Sequence, residues 1–218
     1  MVLEYAKKHR TEIARRLTDP AIFIPETNPV SVFMAGSPGA GKTEASIELL
    51  KLKDAGGTKM LRIDPDDLRE KLPGYTGENV WLFQRAVIPI VERIHDLALK
   101  HGQSFLLDRT LSRYCVAEKN IRRSLEKDRT VQILYVYQEP QQAWRFVQAR
   151  EAAEGHRIQP EDFVRQYFAA REMINRLKTD LGKCIQVDLL MKNNDGSQQF
   201  YRAGIDQIDN HIRDIQCH

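Results

Sequence analysis

Cysteine, net charge and long apolar runs are all scarce in this chain of 218 residues. The three cysteines, Cys115, Cys184 and Cys217, lack the spacing of metal ligands, and an odd number gives no disulfide framework. This pattern favours a reducing compartment, so we expect a cytoplasmic protein. The charged amino-terminal region lacks a signal core, and no apolar run approaches the roughly 20 residues that span a bilayer. We therefore expect no membrane partner.

The small net charge limits the classes of binding partner. A formal charge of +3 argues against a long nucleic-acid footprint, although it leaves room for a local basic pocket. Apolar residues make up 42% and charged residues 29% of the chain, which is an ordinary globular mixture. The length fits one sizeable α/β domain, with at most an appendage.

The stretch from Gly36 to Thr43 has the pattern GxxxxGKT of a phosphate-binding P-loop. Glycines let backbone N–H groups approach phosphate oxygens closely, and the helix that follows favours negative charge at its amino end. Lys42 supplies a cation for the β- and γ-phosphates, and Thr43 offers a hydroxyl to Mg²⁺. The residues expected to contact the nucleotide are Gly36, Ser37, Pro38, Gly39, Ala40, Gly41, Lys42, Thr43 and Glu44.

The sequence on both sides of the loop supports this interpretation. A β-prone run at 30–35 precedes it, and helix formers fill 44–51. Strand, glycine-rich loop and helix is the order that a P-loop requires. The alternative, a glycine-rich turn with a structural lysine, explains neither flank.

Alternating strand and helix patterns predict an α/β fold, a P-loop kinase-like parallel sheet with helices on both faces. Further strands are predicted at 59–63, 104–108, 131–137 and 185–190, with a hairpin from 193–196 into 199–201. Helices are predicted at 3–17, 78–101, 112–127, 139–154 and 162–181, and a short one from about 206. We expect an amino-terminal helix and connector over residues 1–28 and a kinase domain over 29–218, with a lid near 150–160.

Acidic residues follow two of the predicted strands. Asp64, Asp66 and Asp67 follow the strand at 59–63, and Asp108 ends the strand at 104–108. Ligands of doubly wound folds bind at this edge of the sheet, and a strand-end acid near Mg²⁺ is typical of P-loop proteins. In the alternative interpretation, Asp66 or Asp67 caps the next helix.

The predicted helix at 78–101 has an apolar stripe and a polar face. Phe83, Val87, Ile90, Ile94 and Leu97 follow the helical period, and proline at position 89 predicts a kink. Its polar face carries Arg85, Glu92 and Asp96. Such a face, taken alone, is typical of a solvated surface.

Two arginines flank a predicted helix break late in the chain. Arg150 and Arg157 lie on either side of Gly155. In small-molecule kinases such a segment closes over the phosphates, and its arginines neutralise charge on the transferring group. Spacing alone fits surface arginines at a helix end equally well.

Taken together, these motifs resemble the zeta toxin family, over about residues 28–190. The resemblance lies in the P-loop, the strand end Ile63-Asp64-Pro65-Asp66 with Arg69 and Pro73, Glu92 ahead of Asp108, and Arg150 with Arg157-Ile158-Gln159-Pro160. Members of this family are bacterial toxin kinases that use ATP to phosphorylate the 3′-hydroxyl of the sugar in UDP-N-acetylglucosamine. The product blocks use of this cell-wall precursor. The usual antitoxin is a small helical protein that covers the nucleotide site.

The resemblance implies a role for each matching residue. Asp66 is the general base that accepts the proton of the substrate hydroxyl. Lys42 and Thr43 hold phosphates and Mg²⁺. Arg150 and Arg157 stabilise the γ-phosphate during transfer. The implied catalytic residues are Asp66, Lys42, Arg150 and Arg157; the implied substrate-binding residues are Asp66, Glu92, Asp108, Arg109 and Thr110; the implied metal ligands are Thr43 and Asp108.

The chain departs from the family pattern after the acid of the third strand. The family commonly has glycine there, whereas this chain has Arg109 in Asp108-Arg109-Thr110. An arginine at the substrate edge either binds a further phosphate or obstructs the pocket. This departure affects the assignment of the acceptor substrate and the expected activity, and it leaves the interpretation of the P-loop unchanged.

Three functions stay open at the level of sequence. The first is a zeta-type kinase acting on UDP-N-acetylglucosamine. The second is a kinase of similar fold acting on another nucleotide sugar, an antibiotic or a nucleic-acid end, of which the last is disfavoured because no aromatic and basic stripe is present. The third is a nucleotide-binding regulator without catalysis.

Overall fold

A six-stranded sheet organises the computed structural model, which describes residues 2–57, 59–77, 79–108, 113–154, 158–195 and 197–212. The strands are β1 (Val30–Ala35), β2 (Leu61–Ile63), β3 (Phe105–Leu107), β4 (Thr130–Tyr137), β5 (Gln186–Lys192) and β6 (Gln198–Arg202). Their order is β2-β3-β1-β4-β5-β6. β1 to β5 pair in parallel, whereas β6 pairs antiparallel with β5.

The predicted parallel α/β sheet is confirmed, and β6 adds one antiparallel strand at its edge. The antiparallel direction of β6 follows from the hairpin that the turn residues at 193–196 predicted. Asn193 N–H donates to the carbonyl of Ser197 (2.8 Å), and the carboxylate of Asp195 accepts from the N–H of Ser197 (2.8 Å). Two strands joined by so short a turn can pair only in the antiparallel direction.

Helices flank the sheet on both faces, as predicted. Within the described residues they are α1 (Val2–Leu17), α2 (Lys42–Ala55), α3 (Pro65–Glu70), α4 (Val80–Lys100), α5 (Tyr114–Leu125), α6 (Pro140–Glu154) and α7 (Pro160–Leu181). The short helix predicted from about 206 is one 3-10 turn at Ile208–Asn210. Among the described residues no helix is both long enough and apolar enough to cross a membrane.

The two faces of the sheet carry separate apolar clusters because side chains alternate along each strand. In β1, Val32 and Met34 face a smaller cluster that Ala45 of α2 completes. Phe33 and Ala35 face the larger cluster, to which the other helices contribute. α2 therefore lies on one face and the remaining helices on the other.

α4 is the central helix of the larger cluster. The five residues of its predicted stripe are all buried: Phe83, Val87, Ile90, Ile94 and Leu97. Pro89 lies inside the helix without ending it. α1 packs on α4 through Ala6 and Ala14, both fully buried, so the amino-terminal segment shares this core.

A buried glutamine ties the connector after α1 to the sheet. Gln103, which precedes β3, donates its amide nitrogen to the carbonyls of Thr18 (3.0 Å) and Phe23 (2.8 Å). Gly102 also accepts from the N–H of Glu26 (2.8 Å). These bonds lie at the amino ends of the strands, opposite the edge where the P-loop begins.

Candidate functional site

A cleft of about 1610 Å³ opens at the carboxyl ends of the parallel strands. The P-loop after β1, Asp64 after β2, Asp108 after β3 and Gln138 after β4 all line it. The remaining walls come from the α3–α4 region, α6 and the first turns of α7. The strand order brings these segments together, because β3 and β4 both pair with β1.

The P-loop fits tightly against β4 and α6, which explains two of its glycines. A Cβ on Gly36 would lie 2.4 Å from the carbonyl oxygen of Val136, and one on Gly39 would lie 2.1 Å from that of Ala143. Both residues also have positive φ angles, 143° and 72°. Only glycine combines this conformation with such close backbone approach.

The loop ends in the amino terminus of α2, where no side chain caps the first N–H groups. Lys42 bends back over the loop and donates to the carbonyls of Gly36 (3.0 Å) and Ser37 (2.8 Å). Burial lowers the pKa of Lys42 to about 8, and the nearby Arg150 adds to this effect while Asp108 opposes it. The uncapped N–H groups at the start of α2 and the ammonium group of Lys42 together form an anion-binding site.

Arg62, which sequence reasoning missed, joins three acids at the strand ends. Its guanidinium donates to Asp108 (2.9 Å), to Asp67 (2.6 Å) and to Asp64. Asp64 and Asp108 are both buried, at 7% exposure each. Arg62 is the middle residue of β2, and its side chain points away from the larger cluster, which Leu61 and Ile63 face. In the sequence, only the alternation of this short strand could have indicated that orientation.

Asp64 fixes the segment that carries Asp66. Its carboxylate accepts from the N–H of Asp66 (2.8 Å) and so caps α3. The capping residue is therefore Asp64, not Asp66 or Asp67, because Pro65 takes the first helical position and holds Asp64 extended. Burial raises the pKa of Asp64 to about 6, against the opposing effects of that hydrogen bond and of Arg62.

Asp66 lies between two arginines in the cleft. Arg69, one turn later in α3, donates to its carboxylate, and Arg150 of α6 lies 3.6 Å from its other oxygen. The side chain of Asp66 is 53% exposed, so it is open to a ligand. Asp66 and Arg150, far apart in sequence, thus meet beside the P-loop.

Asp108 is oriented by α2 and β2. Its Oδ2 accepts from the hydroxyl of Ser46 (2.8 Å) and from Arg62 (2.9 Å). Thr43 lies one turn before Ser46 and also lines the cleft. No cluster of three or more His, Cys, Asp or Glu side chains suited to a metal occurs in the described residues.

The family model of the zeta toxin matches residues 13–206 of this chain. The chain belongs to the zeta toxin family. The resemblance drawn from the motifs is therefore confirmed.

Solved structures agree on the zeta toxin fold. A chain from the PezAT chromosomal toxin–antitoxin system of Streptococcus pneumoniae superposes with a TM-score of 0.66 at 18% identity, covering 92% of this chain and 83% of that one. The AvrRxo1-ORF1:-ORF2 complex gives 0.57 at 17% identity, covering 96% and 69%. The same complex with ATP gives 0.57 at 17% identity, covering 90% and 63%. A comparison with curated proteins finds no match.

The cleft of this zeta toxin family member gathers most of the predicted site residues. All predicted nucleotide contacts from Pro38 to Glu44 line it, together with Asp66, Asp108 and Arg150. Gly36 and Ser37 form the base of the same loop and hold Lys42. Arg109, Thr110 and Arg157 lie outside the described residues.

Glu92 is not among the residues that line the cleft. It lines a separate pocket of about 330 Å³ between α1 and α4, with Arg10, Arg93 and Asp96. The cleft instead receives Gln84, Val87, Ile88 and Val91 from α4. The polar face proposed for α4 therefore divides, with Arg85 at the cleft and Glu92 and Asp96 at the side of α1.

Proposed function

We propose that this protein is an ATP-dependent kinase that phosphorylates the 3′-hydroxyl of the sugar in UDP-N-acetylglucosamine. The observation that carries the proposal is the meeting of Lys42, Asp66 and Arg150 in one cleft. A phosphate cradle, a carboxylate and a facing arginine are the parts that phosphoryl transfer from ATP to a hydroxyl requires. Membership of the zeta toxin family supports the same activity.

In this proposal the P-loop binds the triphosphate of ATP. Backbone N–H groups of the loop and the first turn of α2 surround the phosphates, and Lys42 leaves the carbonyls of Gly36 and Ser37 to reach them. Arg150 on α6 lies across the cleft and offsets the charge on the transferring group. The solved AvrRxo1-ORF1:-ORF2 structure with ATP supports this choice of nucleotide.

The donor set around Thr43 and Asp108 fits Mg²⁺. Such ions are held by one or two protein oxygens together with substrate phosphates and waters, so a cluster of three acids is not required. Ser46 and Arg62 hold Oδ2 of Asp108, which orients the carboxylate. When bound there, Mg²⁺ neutralises charge on the β- and γ-phosphates.

Asp66 is the residue that accepts the proton in the proposed reaction. The sugar hydroxyl oxygen forms a bond to the γ-phosphorus, the bond from that phosphorus to the bridging oxygen breaks, and ADP leaves. The hydroxyl proton passes to the carboxylate of Asp66. The Asp64 cap and Arg69 hold this carboxylate in place, so that it orients the hydroxyl for attack.

The α3–α4 side of the cleft is the proposed acceptor side. Val80, Val87, Ile88 and Tyr75 give it an apolar wall, and Arg85 adds a cation. Apolar surface with a positive charge suits an acceptor that has both a ring and phosphates, as a nucleotide sugar does. We also propose a small helical antitoxin as protein partner, since toxin–antitoxin systems are among the similar solved structures.

Incubation with labelled ATP and one candidate acceptor at a time tests the proposal. The acceptors are UDP-N-acetylglucosamine, a second nucleotide sugar, an aminoglycoside and a nucleic-acid end. Label on the first, located at the 3′-hydroxyl by NMR, is the expected result. Label on another acceptor alone removes the assignment of the sugar, and binding of ATP without transfer to any of them favours a regulator.

A further inference from the structure

Gln138 follows β4 and has a buried amide without a partner. The residue is 1% exposed and lines the cleft. Neither its amide nitrogen nor its amide oxygen has a hydrogen-bond partner within the part of the chain that the structure describes. No other described side chain buries two polar atoms in this way.

The backbone of Gln138 is held in place while its side chain is not. Its carbonyl oxygen accepts from the hydroxyl of Tyr167 on α7 (2.9 Å), a buried bond. Gln103 provides a contrast, because this equally buried glutamine donates its amide nitrogen to two carbonyls. Burial alone therefore does not leave a glutamine amide nitrogen unpaired in this protein.

The position of Gln138 is fixed relative to the P-loop. Ala35, the last residue of β1, pairs with Tyr135, so the P-loop begins beside the last two residues of β4. Gly36 lies against the carbonyl of Val136, and Gly39 lies against that of Ala143. Gln138 lies between Val136 and Ala143 in the chain, ahead of the helix that carries Arg150, and it lines the cleft together with Pro38–Glu44 of the P-loop segment.

A buried polar group without a partner is unfavourable, and most such groups in proteins are paired. In a cleft wall, the partner that accounts for such a group is a ligand or an ordered water. An amide nitrogen beside a phosphate cradle is a donor to a phosphate oxygen.

We propose that Gln138 is a nucleotide-binding residue whose amide N–H donates to the γ-phosphate of bound ATP. The inference rests on the proposed function only in taking ATP as the nucleotide. It does not depend on the acceptor. Because ADP lacks the γ-phosphate, the contact distinguishes the two nucleotides.

Calorimetric titration of Gln138→Leu with ATP and with ADP, each with Mg²⁺, tests the proposal. Loss of one hydrogen bond to a charged group weakens ATP binding by roughly 10- to 100-fold, and ADP binding stays within about twofold. The variant keeps or raises the melting temperature, because an apolar side chain of similar size replaces an unpaired amide. Gln138→Met serves as a second variant if the leucine side chain disturbs the fold.

Gln103→Leu is the matched control. It removes two hydrogen bonds at the opposite edge of the sheet, so the melting temperature falls by several degrees while both nucleotides bind as in the wild type. Equal weakening of ATP and ADP in Gln138→Leu, or no weakening of either, overturns the proposal and assigns the amide to loop structure or to a buried water. If the wild type transfers phosphate to no acceptor yet the ATP-specific loss is seen, the proposed kinase function falls and this inference stands.

Discussion

At the scale of single residues, the protonation of Lys42 should control nucleotide binding. Its pKa lies at about 8 because burial disfavours the charged form, and only the charged form pairs with phosphate. The charged fraction falls from about nine-tenths at pH 7 to about one-tenth at pH 9, so we expect ATP affinity to fall about tenfold. Calorimetric titrations at pH 7, 8 and 9 measure it.

Lys42→Arg is the control for this pH dependence, because arginine stays charged throughout the range. Its ATP affinity, whatever the absolute value, should be nearly constant between pH 7 and pH 9. A wild type whose affinity is also constant contradicts the assignment of the lowered pKa to a phosphate-binding role.

Arg62 gives a second test at this scale. Replacing it with methionine leaves Asp64 and Asp108 buried without their cation, which lowers the free energy of unfolding by about 3 kcal/mol. Urea denaturation at pH 7 measures the change.

The exposed pair of Arg165 with Asp162 is the matched control for Arg62. Arg165→Met should change the free energy of unfolding by no more than about 1 kcal/mol, since exposed ion pairs contribute little. Equal effects of the two substitutions would show that Arg62 is not the cation that balances the strand-end acids.

At the scale of elements, the contact between the P-loop and α6 is the sensitive point. Gly39→Ala places a Cβ against the carbonyl of Ala143 in a left-handed backbone conformation. We expect it to lower the free energy of unfolding by more than about 2 kcal/mol and to abolish measurable ATP binding. Denaturation and calorimetric titration measure the two effects.

Gly57→Ala separates backbone strain from the collision. Gly57 has a similar φ of +82°, but nothing lies within 4 Å of its added Cβ. It should cost about 1 kcal/mol and leave ATP binding intact. If this variant also loses ATP binding, the collision with α6 is not the reason why Gly39→Ala loses it.

The elements also show which parts of the structure are local enough to predict. The P-loop, the hairpin after β5 and the stripe of α4 depend on neighbouring residues, so periodicity and turn chemistry predicted them. Alternation along β2 could indicate that Arg62 faces away from the larger cluster. The contacts of Arg62 and the position of Gln138 depend on which strands pair, and no local pattern encodes that pairing. Glu92 was assigned to the substrate site only by the family resemblance, and the packing of α1 on α4, which the sequence does not reveal, places it in a separate pocket.

At the scale of the whole molecule, the kinase proposal predicts the effect of expression. Inducing the wild type in bacteria should arrest growth through loss of a cell-wall precursor, whereas Lys42→Ala and Asp66→Ala should permit growth at equal protein levels. Growth curves and the level of phosphorylated UDP-N-acetylglucosamine measure the outcome. Circular dichroism of the purified variants should show an unchanged fold. Arrest by either variant contradicts the assigned roles.

The pairing of β1 with β4 has a consequence for synthesis on the ribosome. Val30 pairs with Thr130, and Arg150 lies later in the chain than β4. A nascent chain that has released the P-loop alone has neither the wall behind Gly36 nor the arginine that faces Asp66. Incomplete chains are therefore expected to be inert, and activity arises only once most of the polypeptide has emerged.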